Sequence, residues 1–425
     1  MMWRTLLSLC FALGCSSSRM VLSSDDAGTR DTSFSRPDGF LDATNSDAPD
    51  SGPPILDPTD PRVQLTEEEA ACLGLTVGGC PSCHIQDGLW VLRPVGVMAP
   101  DTPTPPARTL RECGVTDPGR LFPRRPDILD GVDTAARTFA LRDIVLDQRE
   151  VWEDVGWNLD GAITDDVSDE PLCIPPEGDF PPLDGRGGVD NVFGERVLAT
   201  LADLYPGFEA NARARMVQGE TIVVRLRDWN GMNNDPNVEV IVAMAASVTR
   251  ADGLPEPQWD GNDRWNVATT SFSGGNPDRP LIIDNNAYVA DGRLVARMPD
   301  RQPVVIPWLE TNRFQLRLTE ARLSAEITDG GTRLRDVTIS GRYGDIDLAD
   351  ALTRSGLCEG GSARDLLDRE RQEDLDVRGI AGSGGPGVAC TAMSFSIGFT
   401  GVGAVYGEIV EPAPEDPVDC LPDPF

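Results

Sequence analysis

The feature that most constrains this chain is a succession of short alternating apolar and polar runs through residues 281–341, broken by Asp291-Gly292 and Asp329-Gly330-Gly331. Asp-Gly and Gly-Gly steps supply the positive-φ positions of tight turns, so the segment cannot run as long helices and reads as about six strands. Upstream, residues 221–229 set Ile222, Val224 and Leu226 on one face and Arg225 and Arg227 on the other, and residues 237–249 form an apolar run suited to a buried strand. Residues 137–148 place Phe139 and Leu141, then Ile144 and Leu146, inward; the three-residue step between Leu141 and Ile144 marks a slip or bulge. Residues 389–410 return as one or two strands. The expected fold class is mainly β: an antiparallel β-sandwich-like body with two or three helical insertions and a small disulfide-rich N-terminal segment.

The helical insertions are legible from a different period. Val192, Phe193, Val197, Leu198, Leu201, Leu204 and Tyr205 share one helical face, and Pro206 opens a second helix towards Gly219. Residues 346–354 and 363–376 also read as helical, the latter heavily charged and solvent-facing. Ahead of the first helix lies a chain of ordered turns, residues 156–194, expected to act as a hinge into the body. The chain therefore divides into a lipoprotein signal peptide (1–14), a flexible Ser/Asp/Pro tether (15–62), a Cys-rich N-terminal segment with strands (63–155), a β-rich main body (156–410) and an acidic Pro-rich tail (411–425).

Export is written in the first residues. Met1-Met2-Trp3-Arg4 and the apolar run to Leu13 have the charge and length of a signal sequence and are too short to span a bilayer. Ala12-Leu13-Gly14-Cys15 resembles the lipobox of bacterial lipoproteins, which implies lipidation at Cys15, and Ser16 is compatible with passage to the outer membrane. The expected location is the outer membrane or periplasm, held by an N-terminal lipid anchor.

Charge and residue usage exclude several chemistries. Sixty-nine acidic against 37 basic residues give a net charge of −32, which disfavours nucleic acid as a partner. The chain contains no lysine, which removes the P-loop lysine, Schiff-base chemistry and a Ser-Lys nucleophile. His84 is the single histidine, so a multi-histidine metal site is excluded and any histidine-dependent triad would have to use it. Carboxylate-pair chemistry of the glycoside hydrolase kind survives, with no pair singled out by sequence.

Ten cysteines, less Cys10 in the leader and Cys15 at the anchor, leave eight for disulfides in an oxidising compartment. Cys72, Cys80, Cys83 and Cys113 crowd one segment; Cys358 and Cys390 bracket a charged helix and would pair, leaving Cys173 with Cys420, although other pairings stay open. Cys80-Pro81-Ser82-Cys83-His84 also fits the C-x-x-C-H haem c attachment pattern, with Met98 as a sixth ligand, and makes a haem c electron-transfer protein the alternative reading. The extended, proline-rich residues that follow oppose it, because a cytochrome c domain is mostly helical.

Between two strands, Asp228, Asn230, Asn233, Asp235 and Asn237 gather oxygen-bearing side chains as a calcium loop would, without EF-hand spacing. Turn chemistry accounts for the same residues. Loops at Asn158-Asp160, Asp184-Asp190-Asn191 and Asp260-Asn262-Asp263 are similar in kind. Trp229, Trp259 and Trp265 sit in or beside such loops, as a glycan-binding surface requires and as core-capping tryptophans also do.

The pieces Gly156-Trp157-Asn158-Leu159-Asp160-Gly161, Gly188-Val189-Asp190-Asn191-Val192-Phe193-Gly194 and Cys390-Thr391-Ala392-Met393-Ser394-Phe395-Ser396-Ile397-Gly398-Phe399 resemble a group of uncharacterised myxobacterial-type secreted lipoproteins. The resemblance spans residues 80–407; the group has no established activity, so it implies a secreted lifestyle and points to no particular catalytic residue. The leading expectation is a non-catalytic surface module that binds a glycan or protein, with calcium-stabilised loops; the carboxylate-pair hydrolase is the third.

Overall fold

A computed structural model of the chain describes residues 120–126, 134–161, 163–164, 173–176, 180–250, 252–254, 256–308, 312–380, 387–413, 418, 420–421 and 424, with the backbone of three short strands further upstream. Those strands are β1 (Gln64–Leu65), β2 (His84–Gln86) and β3 (Leu89–Val91), with β3 antiparallel to both others. Cys15, Cys72, Cys80, Cys83, Met98 and Cys113 lie outside the described residues, as do the leader and tether, and of His84 only the backbone is described.

The body is mainly β, as the turn-punctuated strands require, but it closes into an eight-stranded barrel where a sandwich was expected. The wall runs through β4 (Arg137–Val145), β5 (Ile222–Arg227), β6 (Asp235–Thr249), β8 (Ile282–Ala290), β9 (Arg293–Arg297), β12 (Leu318–Thr328), β13 (Arg333–Gly344) and β14 (Ala392–Gly403), which returns to β4. Every neighbouring pair around it is antiparallel. Closure depends on β6, which carries β5 on one edge and β8 on the other. Alternation along a strand is the same in a sandwich and in a barrel; the second edge of β6 decides between them. β4 comes from the segment expected to precede the body, so the body begins before residue 156.

Inward side chains fill the barrel. Phe139, Leu141, Val224, Leu226, Val240, Val289, Leu294, Leu323, Ile339 and Ile397 are all buried in one cluster. Each such side chain contributes roughly 1.5–3 kcal/mol. The same core continues under the hairpin β10 (Val304–Pro307) and β11 (Arg313–Leu316), where Trp308 stacks on Phe314 at 4.4 Å and Phe193 meets Phe395 at 4.8 Å. The helices arrive in two insertions. Between β4 and β5 lie α1 (Trp152–Val155), a π-helical turn (Phe193–Val197) leading into α2 (Leu198–Leu204), and α3 (Phe208–Val217). Between β13 and β14 lie α4 (Asp345–Arg354) and α5 (Ser362–Glu373). Among the described residues no helix is long and apolar enough to cross a membrane.

A second, smaller core covers part of the outer wall. β7 (Arg264–Ala268) pairs with the far end of β6, and β15 (Val405–Val410) runs parallel to β7. Between this flap and the wall Trp265, Val267 and Phe272 meet Ala140, Val223 and Ala243. β7 is a strand the periodicity did not disclose, since polar Asp260, Asn262 and Asp263 precede a run of only five residues.

Two disulfides lie among the described residues, Cys173–Cys390 and Cys358–Cys420, which corrects the expected partners. A bridge between Ile174 and Ala389 sets Cys173 beside Cys390, and Leu421 N–H donates to Gly356 O, bringing the tail to Cys358. Bracketing a helix in sequence gave no such proximity.

Candidate functional site

The two walls of β14 hold the clearest departure from regular structure. β14 pairs Gly398 with Val145 and Thr400 with Arg142, so β4 has one residue too many at Asp143-Ile144. On its other side β14 pairs Phe399 with Val337 and Gly401 with Leu334, so β13 has one too many at Arg335-Asp336. The two bulges therefore face each other across Phe399 and Thr400. In each, an aspartate takes a left-handed backbone, with φ of 52° at Asp143 and 42° at Asp336. A non-glycine residue there is strained by about 1–3 kcal/mol and persists only where its surroundings enforce it.

The bulges leave a small cleft at the outer wall, with room for about one water, lined by Arg120, Asp143, Asp154, Asp336, Thr338 and Thr400, with apolar Val145, Val155 and Val337. Asp143 Oδ2 accepts from Thr400 Oγ1 at 2.7 Å and lies 2.8 Å from Arg142 Nε. Asp336 is more enclosed, its side chain 10% exposed. Its Oδ2 stands 3.5 Å from Arg293, while its Oδ1 is buried with no hydrogen-bond partner. Burial pushes the Asp336 carboxyl up from its ordinary value, against the opposing pull of Arg293 and Arg120. Burial also lowers Arg120 to about 10, helped by Arg293.

Residues 120–126 lie across the wall beside this cleft. Phe122 stacks on Trp157 at 4.3 Å, with Arg120 4.9 Å and Arg293 5.5 Å from the Trp157 ring, and Trp157 Nε1 donates to Thr338 Oγ1 at 2.8 Å. Asn158 N–H donates to Arg120 O, and Tyr288 Oη donates to Pro123 O. Cation–π pairs of this kind contribute about 0.5–2 kcal/mol each as they are desolvated.

On the opposite side, Arg142 links the cleft to Trp259, its guanidinium 5.2 Å from the indole. Trp259 is half-buried, tilts against Trp265 at 5.0 Å, takes φ of 59°, and has a buried Nε1 without a hydrogen-bond partner. The other two tryptophans singled out from sequence belong to the interior. Trp265 is buried in the flap core, and Trp229 is buried in the barrel core with its Nε1 donating to Met232 O.

The loop with Asp228, Asn230, Asn233, Asp235 and Asn237 turns oxygens upon itself. Asp235 is buried and accepts from the N–H groups of Asn230 at 2.7 Å and Asn237 at 3.0 Å; Asn230 Oδ1 accepts from Met232 N–H. Asp228 and Asn237 are exposed, and Asn233 O accepts from Gly292 N–H. In the 156–194 stretch, Asp190 accepts from Leu159 and Asp160 N–H and Asp184 from Thr164 N–H. Burial, with Asp160, Asp184 and Asp376 adding repulsion, holds Asp190 well above the usual carboxylate range. Among the described residues no group of three or more His, Cys, Asp and Glu side chains is placed to hold a metal ion.

Asp143, Asp336 and Trp157 were missed as a group, although half the signal was visible. Leu334 to Val337 repeats the three-residue inward step of Leu141 to Ile144, so both bulges are written in the alternation. Their meeting across β14 is not. Compared with known proteins, the chain matches no family model, no curated protein and no solved structure.

Proposed function

We propose that the protein is an exported, lipid-anchored surface module that binds a hydroxyl-rich ligand, a glycan, at the outer-wall cleft between Asp143 and Asp336, with Trp259 beside it. One observation carries the reading: the buried, unpartnered Oδ1 of Asp336 in a cleft opened by two strained bulges. An acceptor left unmade in a low-dielectric site costs about 1–3 kcal/mol, which a ligand hydroxyl would recover. Side chains fill the barrel interior, which leaves the outer wall as the surface for a ligand. Carboxylates, threonine hydroxyls and a half-buried indole are the groups that grip sugar edges and faces.

Titration of the full chain with soluble oligosaccharides, followed calorimetrically and by Trp fluorescence, tests this. Saturable binding that weakens at least tenfold in Trp259→Ala is expected; no binding across the set would end the reading. The anchor is tested by metabolic labelling with a fatty acid, which Cys15→Ser should abolish. The haem c reading rests on Cys80, Cys83 and His84 alone and predicts a Soret band that survives denaturation. A colourless protein from a host with haem c maturation would remove it.

A further inference from the structure

We infer that the outer wall carries a separate anion site, in which Arg297, Arg322 and Arg125 hold a compact phosphate group beside Tyr288. Strand register sets the first two. β9 and β12 pair antiparallel with Arg297 directly opposite Arg322. Both side chains face outward, because the residues that alternate with them, Leu294, Ala296, Leu323 and Ala325, fill the barrel. Side chains directly opposite on neighbouring strands start about 5 Å apart, and like charges there repel. Arg125 arrives from residues 120–126, its guanidinium 5.4 Å from the Tyr288 ring. Tyr288 lies on β8, the other neighbour of β9. Burial raises its hydroxyl, while Arg322 and Arg125 pull the other way, so guanidinia from two elements converge on this ring.

The carboxylates nearby are engaged elsewhere. Asp284 accepts from the N–H groups of Arg297 at 2.6 Å and Asn286 at 2.8 Å, one on each oxygen. Glu320 pairs with Arg342 at 3.2 Å. Among the described residues no carboxylate forms an ion pair with Arg125, Arg297 or Arg322. Arg322 is half-buried with its guanidinium 4.7 Å from the Phe122 ring, and Arg125 donates to Asn286 O, so packing fixes two of the three cations. Burial lowers Arg322 from its ordinary value, with Arg297 adding to the fall and Tyr288 and Glu320 opposing it. A partly desolvated guanidinium that faces another and no carboxylate is unfavourable, and a bound anion relieves it. Three guanidinium forks suit a phosphate monoester, whose charge of about −1.5 to −2 and three terminal oxygens accept paired bonds from more than one arginine. In a chain of net charge −32 this positive field is local, ending within about 10 Å, which selects a compact phosphate over an extended polyanion.

Calorimetric titration of the full chain at low ionic strength with inorganic phosphate, glycerol 3-phosphate and glucose 6-phosphate tests this, with glucose as the uncharged control. Saturable binding of phosphate or its esters with a dissociation constant of about 1 mM or below, and none of glucose, is expected. Arg297→Gln and Arg322→Gln should each weaken it by about tenfold or more. Arg297 is exposed, so Arg297→Gln keeps the test open should Arg322→Gln, which loses the Phe122 contact, fail to fold. The bound phosphate should also raise the melting temperature of the wild type and leave that of Arg297→Gln unmoved, which separates a site from a general salt effect. Tighter binding of an ester than of inorganic phosphate would assign the site to a sugar or glycerol phosphate, and equal binding to the free ion. No saturable binding of any phosphate, or the same affinity and the same melting rise in Arg297→Gln, would overturn the inference. The site shares no residue with the Asp143–Asp336 cleft or Trp259, so its failure and that of the glycan reading are separate results.

Discussion

The two ends of β14 are completed in opposite ways. From Gly398 to Gly403 its edges meet backbone on both sides, and the bulges of β4 and β13 turn two aspartates towards it, Asp143 bonded to Thr400 and Asp336 enclosed beside Arg293. Nearer its start, β4 has departed, and buried side chains take the place of a strand. Ser396 N–H donates to Asn191 Oδ1 at 2.9 Å, Gln148 Nε2 donates to Ser396 O at 3.1 Å, and Ser394 N–H donates to Asp376 Oδ1 at 2.7 Å. Asn191 also bonds Gln148, Trp152 O and Gly194 N–H. The Asn191 amide is satisfied on both its oxygen and its nitrogen, which fixes this end, whereas Asp376 here and Asp336 at the other end each keep one buried oxygen without a hydrogen-bond partner. The 156–194 stretch, expected as a hinge, supplies Asn191 to the first kind of end, and Asp143 and Asp336 make the second.

The sharpest way to break this comparison is Asn191→Ala. It strands several buried partners at once and should destabilise the fold by about 3–5 kcal/mol, measured by urea unfolding. An effect under 1 kcal/mol would mean that the side chains do not stand in for a strand.

Asp376 sharpens it next. Burial raises its carboxyl from the ordinary 3.8 to about 7, with Asp184 and Asp160 adding repulsion and the Ser394 bond opposing. The native state then holds its proton more tightly than the unfolded chain. Its stabilising contribution is complete below about pH 4, declines as pH rises through 7, and is level above. Over that window up to about 4 kcal/mol is lost. Asp376→Asn should therefore be the more stable protein at pH 8, with a flatter profile between pH 4 and 7. Parallel unfolding curves for the two proteins across that range would contradict the assignment.

At the bulged end the sign should reverse. Asp336→Gly removes the left-handed strain and an unpartnered carboxylate, so thermal stability should rise by about 1 kcal/mol while oligosaccharide binding is lost. A fall in stability would show Asp336 to be a structural residue. The smallest effect is expected at the 228–237 loop. Because Asp235 and Asn230 oxygens already accept from their own N–H groups, excess calcium against EDTA should leave the melting temperature unchanged, and a clear rise with calcium would restore a cation there.

Local chemistry determined a good deal of this protein. Asp291-Gly292 and Asp329-Gly330-Gly331 place the turns, the alternation of Ile222, Val224 and Leu226 places a wall strand, and the Val192 to Tyr205 face places the first long insertion. The Leu141 to Ile144 step located one bulge. These are legible because a side chain's orientation follows from its own backbone period. Barrel closure through β6 and β8, the Cys173–Cys390 and Cys358–Cys420 partners, and the meeting of Asp143 with Asp336 belong to the tertiary structure. Each joins residues far apart in the chain, and which edges and thiols meet is settled by how the whole core packs, a quantity no local period carries.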